Sequence, residues 1–187
     1  MLATRNVHKL REFRRLLAPA GIELEPLPGD VELPPEEATS FAGNALTKAR
    51  AAAVATGRAA IADDSGIEAA ALAGAPGIFS ARFAGGGATD EQNLAKLMRR
   101  APAGSAVKYV CALAYIDPAD GEERLFYGEC RGRLASERRG SGGFGYDPAF
   151  LPDEDPGHTM AELSDLDKDA ISHRGHAARA LAKWLSP

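Results

Sequence analysis

A chain of 187 residues, 45% hydrophobic and 26% charged, has room for one domain and enough apolar side chains to bury a core without disulfide or metal staples. These proportions exclude disorder, collagen and coiled coil. The net charge of −4 argues against a general nucleic-acid binder, which needs many Lys and Arg contacts to phosphates, but it leaves room for a small anion in a local basic pocket.

Met1-Leu2-Ala3 reads as a short strand, clipped at its start, that feeds the turn Thr4-Arg5-Asn6. A helix is expected from Val7 to Ala18, with Leu10, Phe13, Leu16 and Leu17 on one face and Pro19 and Gly21 as its stop. Arg5, Lys9, Arg11 and Arg14 lie in this segment, so no signal-peptide apolar region follows Met1, and a cytoplasmic location is expected. Ile22 to Leu27 is a second strand candidate, and residues 28–39 form a Pro- and Glu-rich loop. A long helix should run from Ser40 to Thr56, capped by Gly57. Ala59 to Ala62 predicts a buried strand ending in Asp63-Asp64-Ser65-Gly66, and residues 66–88 a short helix plus loop. The longest charge-free apolar stretch, Ala69 to Ala81, is too short and too broken by Gly and Pro to span a bilayer.

Thr89 to Gln92 is a capping box opening a helix to Arg100. Val107–Ile116 and Glu123–Leu134 are strands joined by a turn at Pro118 to Gly121, and they carry Cys111 and Cys130 as two reduced thiols. A glycine-rich loop spans 140–145. A last helix follows Ser172, with Ala177, Leu181, Trp184 and Leu185 on one face. Strand and helix alternation, then a hairpin, then a helix, argues α/β or α+β with a mixed sheet and helices on both faces.

Five segments could carry chemistry. Thr4, Asn6 and Lys9 stand at a strand-to-helix turn, where free N–H groups and the helix dipole favour an anion; an ordinary N-cap beside a surface lysine has the same pattern. Asn44 and Lys48, spaced i,i+4, share a helix face that is either solvated or turned to a phosphate or acidic cluster. Asp63 and Asp64 after a buried apolar strand are costly unless a positive group or a divalent cation stands nearby, and strand alternation gives them different jobs; an Asx-type turn is the alternative. Gly140 to Gly145 matches G-x-G-x-x-G, but Pro148 blocks the helix that a dinucleotide fingerprint requires. The segment reads as a flexible loop presenting Phe144, Tyr146 and Asp147, or as a plain loop with a core Phe. Lys168, His173 and Arg174 crowd a helix start that Ser172 would cap, which suits an acceptor-rich ligand or else a surface basic cluster. The run Arg131, Arg133, Arg138, Arg139 reads as a solvated face.

Taken together, six ordered segments resemble the inosine triphosphate pyrophosphatases almost end to end. They are Ala3 to Lys9, Phe41 to Ala49, Ala62 to Ile67, Gly74 to Arg82, Gly143 to Pro148 and Ile171 to Gly175. The resemblance implies a single two-lobed α/β domain over 1–187, with a long central mixed sheet flanked by helices and a nucleotide cleft between the lobes. It implies Mg²⁺-dependent hydrolysis of non-standard purine nucleoside triphosphates (ITP, dITP, XTP) to the monophosphate and pyrophosphate, by a homodimer that binds neither nucleic acid nor membrane. By matching motif, Thr4, Asn6, Lys9 and Lys48 are triphosphate ligands, and Ser65 touches substrate. Glu36 and Asp64 are Mg²⁺ ligands, and Asp64 is also the proton acceptor. Phe144, Gly145, Tyr146, Asp147, Lys168, His173 and Arg174 form the base pocket. Ala38 stands where the family tends to have glycine, and the spacing to Phe41 favours Glu36 over Glu37 as the ligand. A non-catalytic nucleotide-binding module would not need Asp64 beside a metal, and the Ser172-His173-Arg174 segment argues against a pyrimidine pyrophosphatase.

Overall fold

The computed structural model describes residues 1–186. Its main elements are α1 (Val7–Leu17), α2 (Phe41–Thr56), β1 (Ala60–Ala69), α3 (Asp90–Arg100), β2 (Ala106–Asp117), β3 (Glu122–Leu134), β4 (Phe150–Pro152), α4 (Asp165–Ile171) and α5 (His173–Leu185). The strands are hydrogen-bonded in the order β1-β2-β3-β4, with β3 and β4 antiparallel and Gly132 opposite Pro152. Leu2 adds parallel bridges to Pro26 and Ile61, so the pairing is mixed. No helix among the described residues is long and apolar enough to cross a membrane.

The chain forms two compact units. The first holds residues 1–64, 111–128 and 174–187, and the second 65–110 and 129–173.

In the first unit, side-chain alternation along β2 decides the packing. Ala112, Ala114 and Ile116 join Ala60 and Ala62 of β1 under α2, which presents Ala45, Ala49, Ala52 and Ala53. Small side chains on both partners let helix and strands approach closely. Cys111 and Leu113 face the other way, with Ile61, against Phe13 and Leu17 of α1 and Ala177, Ala178 and Leu181 of α5. Helices therefore cover both faces of the strands in this unit. Ser40 caps α2 by accepting from Gly43 N–H at 3.1 Å, and Gly57 ends it in the left-handed region. Trp184 and Leu185, expected on the apolar face of the last helix, are about a third exposed, and Trp184 meets Tyr115 and Phe126 edge-on or tilted.

The core of the second unit gathers Ile67 and Ala69 of β1, Val107 and Tyr109 of β2, Cys130 and Leu134 of β3, Phe150 of β4, and Leu94 and Leu97 of α3. Thr89 and Gln92 make the full capping box of α3. Both cysteines are buried and free, on adjacent strands, as expected.

Two expectations are corrected and a third is extended. The strand expected over Ala59 to Ala62, ending in Asp63-Asp64-Ser65-Gly66, continues through that segment to Ala69, because neighbouring polar groups compensate the carboxylates within the strand. Ile22 to Leu27 contributes one bridge, at Pro26, rather than a strand. The last helix follows Ser172 as expected, and Ser172 is extended just before it, but a separate helix that was not expected, α4, capped by Ser164, precedes Ser172. Lys168 consequently lies in the last turn of α4, where the dipole favours a cation.

The alanine face of α2 can be tested. Ala49→Leu should cost about 1–3 kcal/mol by overpacking, read as a fall in urea midpoint at constant m. Val54→Ala, at an exposed position of the same helix, should stay within about 0.5 kcal/mol.

Candidate active site

Asn6 opens α1 as its N-cap, with Oδ1 accepting from His8 N–H at 2.9 Å and Lys9 N–H at 3.2 Å. Thr4 Oγ1 accepts from Asn6 N–H at 3.2 Å, so hydroxyl, amide and helix start are locked into one turn. From the first turn of α1, Lys9 Nζ reaches Asp63 Oδ2 at 2.9 Å. One turn later Glu12 accepts from Arg174 Nη1 at 2.9 Å, and Arg174 Nε lies 3.5 Å from the same Asp63 oxygen. Asp63 has a fully buried side chain. Burial alone would push its carboxyl up, but Lys9, Arg174 and Lys48 outweigh it and hold it well below the ordinary 3.8. Arg174 is pushed up on balance, because Glu12 and Asp63 outweigh its burial.

Asp64, the next residue, belongs to a different set, as alternation requires. Its Oδ2 accepts from Asn44 Nδ2 at 2.8 Å. Asn44 Oδ1 accepts from Ala38 N–H at 3.0 Å, and Lys48, one turn along α2, pairs with Glu36. Asn44 and Lys48 thus hold the acidic loop against α2 at two points. A Cβ on Gly43 would stand 2.7 Å from Ala38 Cβ, so glycine permits this approach. Burial raises the Asp64 carboxyl above 3.8; Lys48 and the Asn44 hydrogen bond oppose the rise and Glu36 adds to it. Lys48 is also raised: burial lowers it, but Asp63, Glu36 and Asp64 together prevail.

Among the described residues, no three His, Cys, Asp or Glu side chains gather into a cluster able to hold a metal. Glu36 and Asp64 are nevertheless two hard oxygen donors whose charges act on one another. One or two carboxylates, completed by substrate phosphates and water, suit Mg²⁺, so the donor set fits such a cation.

In the second unit Asp147 organises the loop of residues 140–147. Its Oδ2 accepts from Lys168 Nζ at 2.8 Å and Phe144 N–H at 2.9 Å, and its Oδ1 accepts from Tyr109 Oη at 2.9 Å. Gly143 has φ +67°, and a Cβ there would stand 2.1 Å from Asp147 Oδ2. Lys168 Nζ lies 5.4 Å from the Phe144 ring centroid. Gly145 N–H donates to Asp90 at 2.9 Å. His173 stacks on Tyr109 at 4.6 Å. The loop read as flexible is therefore tied down, and two of the side chains it was expected to present point inward. Asp147 is buried under three donors, and Tyr146 joins the core with its hydroxyl on Ser80 O at 2.7 Å. Pro148 lies within a single 3₁₀ turn, Asp147–Ala149, that leads directly into β4, so no dinucleotide helix forms.

Within the first unit, Lys9, Glu36, Lys48, Asp64 and Arg174 belong to one electrostatic neighbourhood, with Thr4 and Asn6 at the start of α1. Within the second, Phe144, Asp147 and Lys168 are joined by hydrogen bonds, and Ser65 lies half-buried in β1. The sequence reading passed over Glu12 and Tyr109. Glu12 stands beside Phe13 on the inward face of α1, three residues after Lys9, and Tyr109 alternates inward with Val107 and Cys111; both positions were readable, their partners were not.

The two adjacent carboxylates should respond oppositely to neutralisation. Asp63→Asn leaves half-buried Lys9 and buried Arg174 against an amide and should cost about 3–5 kcal/mol at pH 7. Because the folded-state pKa of Asp63 is depressed, its contribution is present above the ordinary 3.8 and fades as pH falls through the lower folded value, so the gap between variant and parent should narrow in acid. Asp64→Asn keeps an acceptor for Asn44 and removes a charge that burial disfavours, so it should melt at the same or a higher temperature. Thermal melts of both variants check the contrast.

The chain matches the Ham1 family over residues 1–184. It is 49% identical to a dITP/XTP pyrophosphatase of Frankia alni, over 99% of this chain and 96% of that protein. It is 48% identical to a dITP/XTP pyrophosphatase of Mycolicibacterium paratuberculosis, over 99% and 94%. A solved HAM1 protein from Coxiella burnetii superposes with a TM-score of 0.87 at 38% identity, covering 98% of this chain and 96% of that one. With sequence and fold matched over nearly the whole length, the chain belongs to the Ham1 family.

Proposed function

We propose that this protein hydrolyses non-standard purine nucleoside triphosphates, ITP, dITP and XTP, to the nucleoside monophosphate and pyrophosphate, with Mg²⁺ as cofactor. The observation that carries the reading is the division of labour at Asp63 and Asp64: one carboxylate fixes two cations, and its neighbour is raised beside Glu36 and Lys48. The names of the Frankia and Mycolicibacterium relatives support the same substrate class. A homodimer in the cytoplasm belongs to this reading through the family resemblance.

Thr4, Asn6 and the first turn of α1 bind phosphate oxygens, where the positive end of the helix dipole favours anions. Lys9 and Lys48 add charge to the phosphates and stabilise the pyrophosphate as it leaves. A divalent cation held by Glu36 and Asp64 supplies further neutralisation of the phosphate oxygens when bound. Asp64 accepts a proton from water as its oxygen bonds to the α-phosphorus. The bond from that phosphorus to the bridging oxygen breaks, its electron pair leaves with pyrophosphate, and Asp64 returns the proton to solvent. A carboxylate within reach of the attacking water serves as its general base.

Ser65 contributes a substrate contact. At the base end, Phe144 supplies a ring for stacking, and the loop from Gly145 through Tyr146 to Asp147 shapes the floor. Lys168 and His173 supply mostly donors. A 6-keto purine offers an acceptor to these donors, whereas adenine offers a donor and leaves both sides unpaired, at about 1–3 kcal/mol for each buried group.

Asp64→Asn should lower turnover of ITP by about 10²–10⁴-fold while nucleotide binding persists. Pyrophosphate and monophosphate should be the first products, and chelation of the metal should abolish their release. Orthophosphate with a nucleoside diphosphate as first products would contradict the reading. Across a panel of triphosphates, ITP, dITP and XTP should exceed ATP in kcat/KM by up to about 10⁴-fold; equal values would remove the base-recognition account.

A further inference from the structure

We infer that Tyr109 is a positioning residue for base recognition, supporting the base-binding side chains from behind through both its hydroxyl and its ring. The inference rests on the function proposed above and adds to it a residue that the family motifs did not point to.

Tyr109 is buried in β2, inward with Val107 and Cys111. Its hydroxyl donates to Asp147 Oδ1 at 2.9 Å, while the other oxygen of that carboxylate accepts from Phe144 N–H and Lys168 Nζ. One face of the ring system meets His173 at 4.6 Å with an interplanar angle of 13°, and Phe150 stacks at 4.4 Å and 21°. Phe144, Lys168 and His173 are three of the groups assigned to the purine. Two are held through the carboxylate that Tyr109 orients, and the third lies parallel to its ring. Asp147 is buried, so the direction of its oxygens is set by its donors rather than by water. Removing the Tyr109 hydroxyl frees the carboxylate to rotate and lets the Phe144 amide and Lys168 ammonium shift with it. The ring is a second, separable support. It keeps the imidazole of His173 in plane through packing on an aromatic column that ends at Phe150.

Tyr109→Phe removes the hydroxyl and keeps the column; Tyr109→Leu removes both. The parent and both variants are to be compared in ITP and ATP kinetics and in calorimetric binding of inosine monophosphate and of inorganic pyrophosphate. Tyr109→Phe should raise the KM for ITP and the dissociation constant of inosine monophosphate by about threefold to tenfold, the range expected for loosening one hydrogen bond to a charged group. The kcat for ITP should stay within about twofold and the pyrophosphate affinity should not move; Tyr109→Leu should lose more of the ITP preference over ATP. Unchanged pyrophosphate affinity also reports that each variant is folded. If Tyr109→Phe leaves both the ITP KM and the monophosphate affinity at parental values, or shifts monophosphate and pyrophosphate affinities equally, the role of Tyr109 is refuted while the proposed function stands. If the parent itself fails to hydrolyse ITP, the proposed function falls and this inference falls with it.

Discussion

Two adjacent carboxylates in the middle of a buried strand are the constraint on which the first unit is organised. A β-strand sends neighbouring side chains to opposite sides, so Asp63 and Asp64 cannot share one counter-charge arrangement. Each needs its own, because an uncompensated buried carboxylate costs several kcal/mol. Asp63 draws Lys9 from α1 and Arg174 from α5, and Glu12 holds the far side of Arg174. Asp64 receives the neutral amide of Asn44, with Lys48 and Glu36 acting at longer range. The first is overcompensated and stays ionised well below the ordinary aspartate value. The second is left raised, a state that is poor for stability and useful for accepting a proton or a cation.

The second unit repeats the device with a different aim. Asp147 is buried and accepts from a phenol, a backbone amide and an ammonium group. No chemistry is required of it. Its work is to stiffen a glycine-rich segment that would otherwise move, and Gly143 is there because any side chain would strike the carboxylate. In both units, then, a buried charge sets the position of the polar groups around it, and the apolar cores supply the low dielectric that makes those positions firm.

Local signals made much of this legible in the sequence. Ser40 and Gly57 bracket α2, Thr89 and Gln92 open α3, and the turn before Glu122 joins β2 to β3, because caps and turns are decided within a few residues. Charge pairing between distant segments was hidden. Glu12 and Arg174 are 162 positions apart, and nothing local to either names the other. Asp63-Asp64-Ser65-Gly66 has the composition of a turn, so β1 reads as ending there, whereas it runs on to Ala69; its true length depends on cations contributed by helices elsewhere in the chain. The short α4 was missed because its seven residues are mostly polar and carry little periodicity. Tyr109 could be placed facing inward by alternation, but its bond to Asp147 depends on tertiary approach.

The most direct test of this account is a carboxyl ¹³C NMR titration of Asp63 and Asp64 in the intact protein. Asp63, held by Lys9 and Arg174, should show no protonation step down to the pH at which the chain unfolds. Asp64 should titrate above the ordinary aspartate value of 3.8. A step for Asp64 below 3.8, or coincident steps for the two residues, would contradict the division of labour from which the proposed chemistry follows.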